Sequence, residues 1–383
     1  MGGIVPKLAH HAHMRNLPEV VKEAIQMADL GERGIQEIDI VAVTRGPGMA
    51  HCLGVGLNAA KTLAAALNKP LIGVHHMEAH ALTARLTTKN PNQDANPLSD
   101  PSSLGSDPYP SFPFLTLLVS GGHTLLLVAH SVDRYTTLAS TLDDSIGEAF
   151  DKTARELDIP WLPGRAGGPG ASLEEFAKGS RNPERYSTQL PIPMSLRTSK
   201  REMKFSFAGL KSAVTRIVNQ EKKTSNLTMD EEKRKDLAAG FQNCAIVHLC
   251  QKVEQALLDC HKNGLQISSL VISGGVGRNA TLRTKMEQVC QKFDLDISSK
   301  VKQSSTSKQS KQSKQGISGE TPLAPLYSSI QVICPPPKLC TDNAVMIAWT
   351  GLERYQQGLV DPYDIDIVPK WPLDMLGTGI IPE

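Results

Sequence analysis

At 383 residues, with 40% apolar and 21% charged residues, the chain has the composition of an ordinary globular protein of about two domains. A net charge of +2 excludes a globally basic nucleic-acid binder, so any such contact must come from a local patch. No apolar run reaches the ~18 residues of a membrane span, and seven cysteines without C-x-x-C spacing exclude a zinc ribbon or disulfide framework and point to a reducing compartment.

The opening "MGGIVPKLAHHAH" has the pattern of neither a secretory signal nor an Arg/Ser-rich transit peptide. Residues 17–31 read as a helix, and "IDIVAVTRGPG" as a buried strand entering a Gly-Pro-Gly turn. "LGVGLNAAKTLAAALN" follows as a small-residue helix, and "PLIGVHH" as a strand that delivers histidines. This alternation predicts an α/β layer. Residues 89–113, rich in proline and polar residues, read as a disordered insert. "FPFLTLLVSGGHTLLLVAH" opens a second α/β region as a hairpin around Ser120-Gly121-Gly122. Helical patterns cover 145–157 and much of 168–262, and "LVISGGVGRN" is a strand entering a helix through glycines. The Ser/Lys/Gln tract 298–321 reads as a second disordered insert, mostly inert. The final helix follows a loop in which Thr341 or Asp342 is the expected cap.

"GVHHMEAHAL" is the first stretch with chemistry in it. His76 and His80 are spaced i, i+4 and share a helix face, which suits two imidazoles on one divalent metal. A solvated or core helix face is the alternative. Glu78 lies about 200° round the helix from His76, so the general base of a zinc protease is missing. The two Gly-Gly turns can present bare amides: "LVSGGHT" to a phosphate, with the Ser120 hydroxyl as a further donor, and "SGGVGRN" to a nucleoside, with Asn279 as donor and acceptor. Most such turns merely turn. In the acid-rich "TLDDSIGEAFDKTARELDIP", Asp151 is the acid expected to face inward, towards ribose hydroxyls. Asp342 could supply an oxygen ligand beside His76 and His80, leaving metal positions open for substrate. Residues 195–223 hold eight Lys/Arg against two Glu, with Phe205 and Phe207 interleaved. They read equally as an RNA track and as a basic helix with core phenylalanines. His10, His11 and His13 read as surface residues, and His123 as part of the hairpin wall.

Taken in order, "GGIVPKLA", "TRGPGMAHCLGVG", "GVHHMEAHAL", "FLTLLVSGGHT", "DDSIGEAFDKTA", "GGPG", "FSFAGLKSAV", "ISGGVGRNATLR" and "LCTDNAVMIAW" resemble the universal tRNA threonylcarbamoyladenosine transferase family, TsaD in bacteria. The resemblance runs from Gly2 to about residue 353 and leans towards the mitochondrial branch, which implies a mitochondrial location. It implies an actin/Hsp70/sugar-kinase-like (ASKHA) α/β fold of two domains around a nucleotide cleft. The first domain would be 1–110 plus 335–383, and the second 111–334. It makes His76, His80 and Asp342 the ligands of one divalent metal ion, zinc or iron, per subunit. It gives Leu118, Val119, Ser120, Gly121, Gly122, Asp151, Gly168 and Asn279 to threonylcarbamoyl-AMP. The exocyclic amine of the adenosine 3′ of the anticodon, in tRNAs reading codons that begin with adenosine, would attack the carbamoyl carbonyl and expel AMP. No side-chain nucleophile is required. A homodimer is expected, and no membrane.

In the family a strand, a turn and a second strand precede the Gly-Gly with which this chain opens, which predicts a loose first domain beside a compact 113–296. Lys7 and His10-His11 also depart from the family pattern. Three other readings rank lower: a non-catalytic member of the same fold, a small-molecule kinase with no role for paired histidines, and a metalloprotease without its base.

Overall fold

The computed structural model describes residues 5–88, 109–160, 168–195, 202–225, 228–312 and 329–380. Its elements begin with α1 (Pro6–Met27), β1 (Val41–Gly46), α2 (Ala50–Leu67), β2 (Leu71–His75) and α3 (His76–Thr87). Next come β3 (Phe114–Val119), β4 (Thr124–Ala129), β5 (Tyr135–Thr141), α4 (Ile146–Glu156), α5 (Pro169–Ala177), β6 (Lys204–Phe205) and α6 (Ala208–Ser225). The chain closes with α7 (Glu231–Lys262), β7 (Ser269–Ser273), α8 (Ala280–Gln312), β8 (Gln331–Ile333) and α9 (Ala344–Gln356). It is an α/β protein with a mixed sheet. It divides into two compact units: Met1–Phe112, Ala129–Thr137 and Pro335–Glu383 form unit 1, and Pro113–Val128 with Leu138–Cys334 form unit 2.

Unit 1 is built on β1 and β2, which pair in parallel with Val41 opposite Leu71 and Thr44 opposite Val74. Every residue of β2 is buried, as expected of a parallel strand covered on both faces. Its alternation assigns the faces: Leu71 packs with Leu57, Ala64 and Ile365, whereas Ile72 and Val74 pack with Ala79 and Met346. Helix α2 thus covers one side, and α9 with α3 the other. A C-terminal strap runs back across these strands: Asp361 bridges Leu71 and accepts the Gly73 amide, and the Arg45 guanidinium donates to the Asp366 carbonyl.

Unit 2 carries a six-stranded sheet in the order β6-β5-β4-β3-β7-β8. β3 pairs in parallel with β7, β7 with β8 and β5 with β6. One large apolar core joins this sheet to α4–α8 and includes Leu117, Phe150, Phe205, Phe207, Phe241 and Ile272. Phe205 and Phe207 are fully buried, so they form core rather than a stacking platform for bases. The basic residues 196–201 lie outside the described residues.

Several boundaries differ from the sequence reading. Helix α1 starts at Pro6, a favoured first-turn position, although Pro18 lies inside it. None of its residues is buried, so no apolar stripe announces it. It ends at Met27, before the left-handed Asp29 (φ 46°) and Gly31 (φ 64°), rather than at residue 31. Helix α8 runs through 298–312, which corrects the expected disorder there, because lysine and glutamine favour helix and no glycine or proline interrupts before Gly316. The rest of that insert, 313–321, lies outside the described residues. In the first insert 89–108 lie outside them, whereas 109–113 are ordered: Tyr109 bridges Thr88, and Phe112 lies under the Arg85 guanidinium.

His248 of α7 gives unit 2 a pH-dependent element. Its ring is fully buried, edge-on to Phe205 and Phe207 at 5.7 and 5.6 Å. Burial, assisted by Lys252, lowers its pKa to about 4. A histidine depressed in the folded state stabilises fully above its unfolded pKa of ~6.5, and that contribution is lost as pH falls through 4. At ~1.4 kcal/mol per unit the loss is about 3 kcal/mol. Urea unfolding of the full chain at pH 7 and pH 4.5 should therefore show a smaller fall in stability for His248→Gln than for the unmodified chain. Equal falls would show that His248 does not carry this dependence.

Candidate metal centre and glycine turns

The metal-ligand group lies wholly in unit 1. β2 ends at His75 and α3 begins at His76 with no intervening loop, so the helix leaves the strand in a fixed direction. Within α3, the four-residue spacing stacks His76 and His80 with ring centroids 4.8 Å apart. Asp342 arrives from the segment before α9. Its Oδ1 lies 3.4 Å from His76 Nε2 and 3.1 Å from His80 Nε2, and one ligand atom from each residue falls within 4.8 Å of the others. His80 is buried, His76 half-buried and Asp342 exposed, so the group opens on one side. His76, then His80, hold the Asp342 carboxyl well below the usual carboxylate range.

Neither Thr341 nor Asp342 caps α9. Asn343 does, accepting the Met346 amide at 2.9 Å, and its own amide donates to the Thr341 carbonyl. With the cap supplied by Asn343, Asp342 faces the histidines. His75 does not belong to the group. Glu78, fully buried, is no general base for this group: it accepts the His75 amide at 3.2 Å and Arg354 Nη1 at 3.2 Å. Burial raises its pKa to about 7, against the opposing pull of Arg354. A second buried pair, Arg85 with Glu353 at 2.9 Å, links the same two helices. The donor set of two imidazoles and one carboxylate suits a first-row divalent ion with open coordination positions.

The phosphate and nucleoside candidates lie in unit 2, at the ends of the parallel strands β3 and β7. Leu118 and Val119 are fully buried core residues of β3, so only their backbone reaches the turn. Ser120 Oγ accepts the Gly122 and His123 amides at 3.3 and 3.0 Å, so two amides expected to be bare are turned onto this hydroxyl. The turn is docked on the start of α4: Gly147 N–H donates to the Ser120 carbonyl, and Ser145 Oγ to the Gly121 carbonyl. A Cβ on Gly147 would sit 2.5 Å from the Ser120 carbonyl oxygen. Gly274, at φ +93°, would place one 2.3 Å from the Val119 carbonyl oxygen. The two glycine turns are therefore neighbours. Asp151, half-buried, accepts the Gly170 amide at 2.7 Å. Burial raises its pKa. Gly168 caps α5, and a Cβ there would be 3.5 Å from Asp151 Oδ1. Asn279 is buried and engaged at both ends, accepting from the Leu282 amide and donating to Gln242 Oε1. It is the hinge of the second turn, rather than a free donor and acceptor.

Sequence reasoning gave no separate role to His75, Gly147, Gly170 and Gly274, although they stand in runs it singled out. The Ser145-to-Glu148 capping spacing and the run "GGPG" are the signals that could have pointed to two of them.

Fold and geometry define an α/β protein with a three-residue group able to hold a metal ion. Residues 1–100 and 101–300 match the family model TsaD: tRNA N6-adenosine threonylcarbamoyltransferase. A relative from Arabidopsis thaliana, a probable mitochondrial tRNA N6-adenosine threonylcarbamoyltransferase, is 36% identical over 97% of this chain and 67% of its own. The mitochondrial protein of that name from Schizosaccharomyces pombe is 34% identical over 98% of this chain and 77% of its own. One from the bacterium Chelativorans is 36% identical over 97% and 83%. A crystal structure of HypF from T. kodakarensis overlaps 90% of this chain and less than half (44%) of its own, at 13% identity and a TM-score of 0.49. The chain belongs to the TsaD family of tRNA N6-adenosine threonylcarbamoyltransferases.

Replacing both His76 and His80 by alanine should abolish bound metal, measured by elemental analysis, while AMP binding by unit 2 persists. Unchanged metal stoichiometry would remove this group from consideration. At Gly121 a Cβ meets open space, so Gly121→Val should fold normally. It should nevertheless weaken AMP binding more than tenfold, or ~1.4 kcal/mol. Equal affinity by calorimetry would exclude this turn as the phosphate cradle.

Proposed function

We propose that this chain transfers the threonylcarbamoyl group from threonylcarbamoyl-AMP to the N6 amine of the adenosine 3′ of the anticodon, in tRNAs reading codons that begin with adenosine. The observation that carries the reading is the convergence of His76, His80 and Asp342, brought from two distant segments onto one point. These three residues would hold one divalent ion, zinc or iron, per subunit. Such an ion, when bound, supplies Lewis acidity and a template for oxygen ligands.

The adenylate is assigned to unit 2. The Gly121 amide and the N-terminal turn of α4 favour the phosphate. Asp151, with Gly168 beside it, would accept from ribose hydroxyls. Val119 and Leu118 support the turn from the core, and Asn279 ties the second turn to Gln242 of α7. In the reaction the N6 nitrogen forms a bond to the carbamoyl carbon, the carbon–oxygen bond to phosphate breaks, and the amine loses a proton as AMP departs. An ASKHA arrangement is supported by the glycine turns at the ends of β3 and β7. A mitochondrial location rests on the Arabidopsis and fission-yeast relatives, although the bacterial relatives are equally similar. A homodimer completes the proposal, to be checked by sedimentation.

The test is transfer from purified threonylcarbamoyl-AMP to an unmodified tRNA of this class, read as modified nucleoside by mass spectrometry. The unmodified chain should transfer, and the His76→Ala, His80→Ala and Gly121→Val variants should each lose at least tenfold, or ~1.4 kcal/mol of barrier. A metal-loaded, AMP-binding chain without transfer would favour a non-catalytic member of the fold.

A further inference from the structure

The histidine that binds no metal poses a separate question. His75 is the last residue of β2 and the N-cap of α3, a position usually given to serine, threonine, aspartate or asparagine. Its Nδ1 accepts the Met77 amide at 3.1 Å, and its own amide donates to Glu78 Oε2 at 3.2 Å. Together these make a reciprocal capping box with imidazole in place of a hydroxyl. The other ring nitrogen, Nε2, lies 2.9 Å from the Trp371 carbonyl oxygen. A carbonyl only accepts, so Nε2 carries the hydrogen and Nδ1 the lone pair that the cap requires. The Trp371 ring packs against His75 with centroids 4.9 Å apart, and the Arg45 guanidinium lies over that indole at 5.5 Å. Both nitrogens of His75 are therefore committed, and the ring is fully buried.

The geometry points to His75 as a positioning residue for the metal centre: the C-terminal strap, through the Trp371 carbonyl, sets the tautomer of His75, and His75 in turn fixes the first turn of α3, which carries His76 and His80. A serine or aspartate could cap the helix, but neither could reach the strap at the same time. Imidazole offers an acceptor and a donor on opposite sides of one rigid ring. This inference rests on the metal reading of His76, His80 and Asp342. It adds that the orientation of those ligands is governed by residues that never touch the ion.

Cobalt(II) is the probe, added to the full chain and read by its visible absorption spectrum and by calorimetry. The unmodified chain should bind one cobalt ion. His75→Ala should weaken binding by about 10–100-fold, the usual effect of losing a partner outside the ligand set, and should shift the spectrum. His75→Asn, whose Oδ1 replaces the Nδ1 acceptor but does not reach the strap, should restore only part of the affinity. AMP binding should not change in either variant. His75→Ala with unaltered affinity and spectrum would overturn the positioning role and leave the metal site standing. Failure of the unmodified chain to bind cobalt would overturn the metal reading and this inference with it. Should His75→Ala lose its cooperative unfolding transition and His75→Asn give no rescue, the residue would be a plain structural support and the inference would fail.

Discussion

The metal-ligand group depends on how α3 lies against α9, and two buried ion pairs of opposite sense fix that. On α3, Glu78 and Arg85 are seven residues apart and share a face. On α9, Glu353 and Arg354 are consecutive. Arg85 meets Glu353 and Glu78 meets Arg354. Buried pairs add little net stability, because desolvation offsets the attraction, but removing one partner costs about 3–5 kcal/mol. Their use here is registry. Sliding α9 along α3 by one turn would break both pairs at once and leave charges buried without partners. Because Asp342 stands just before α9 and the histidines stand on α3, the register of these helices is also the position of the third ligand.

Much of this was legible in the sequence. The i, i+4 histidines, the strand that delivers them and the two strand–glycine turns follow from periodicity and from the conformational freedom of glycine. The function followed from resemblance rather than from any single motif. What was illegible was mostly relational. Nothing in "HHMEAH" says that its i, i+4 pair faces an aspartate 262 residues beyond His80, because that depends on the direction in which α3 leaves β2. Glu78 looked like an acid pointing away from the pair, which was right, but its partner Arg354 lies 276 residues distant. Helix α1 was half missed because it buries nothing and so shows no stripe. The polar half of α8 has no apolar periodicity, so its composition reads as disorder although no glycine or proline interrupts the helix.

The direct junction of β2 and α3 explains why a histidine stands at the cap. Where a loop separates strand from helix, a loop residue can cap, and the strand's last side chain is left to the core. Here one residue must finish the strand, cap the helix and, through Nε2, tie to the strap. A full capping box of buried groups follows, with Glu78 held at 0% exposure between the His75 amide and Arg354. The same carboxylate thus belongs both to the cap of α3 and to its registry with α9, so the direction of the helix and its position are set by one side chain.

Unit 2 solves a comparable problem by removing side chains instead of adding them. The turn after β3 is approached closely from two sides, by the turn after β7 and by the start of α4, and Gly274 and Gly147 permit this where any Cβ would overlap a carbonyl. Gly121 and Gly122 are different, since a Cβ on either meets only open space. Packing therefore requires the first two glycines and leaves the second two unexplained. The open space beside them leaves room for a group to approach the turn, in keeping with the phosphate proposed there.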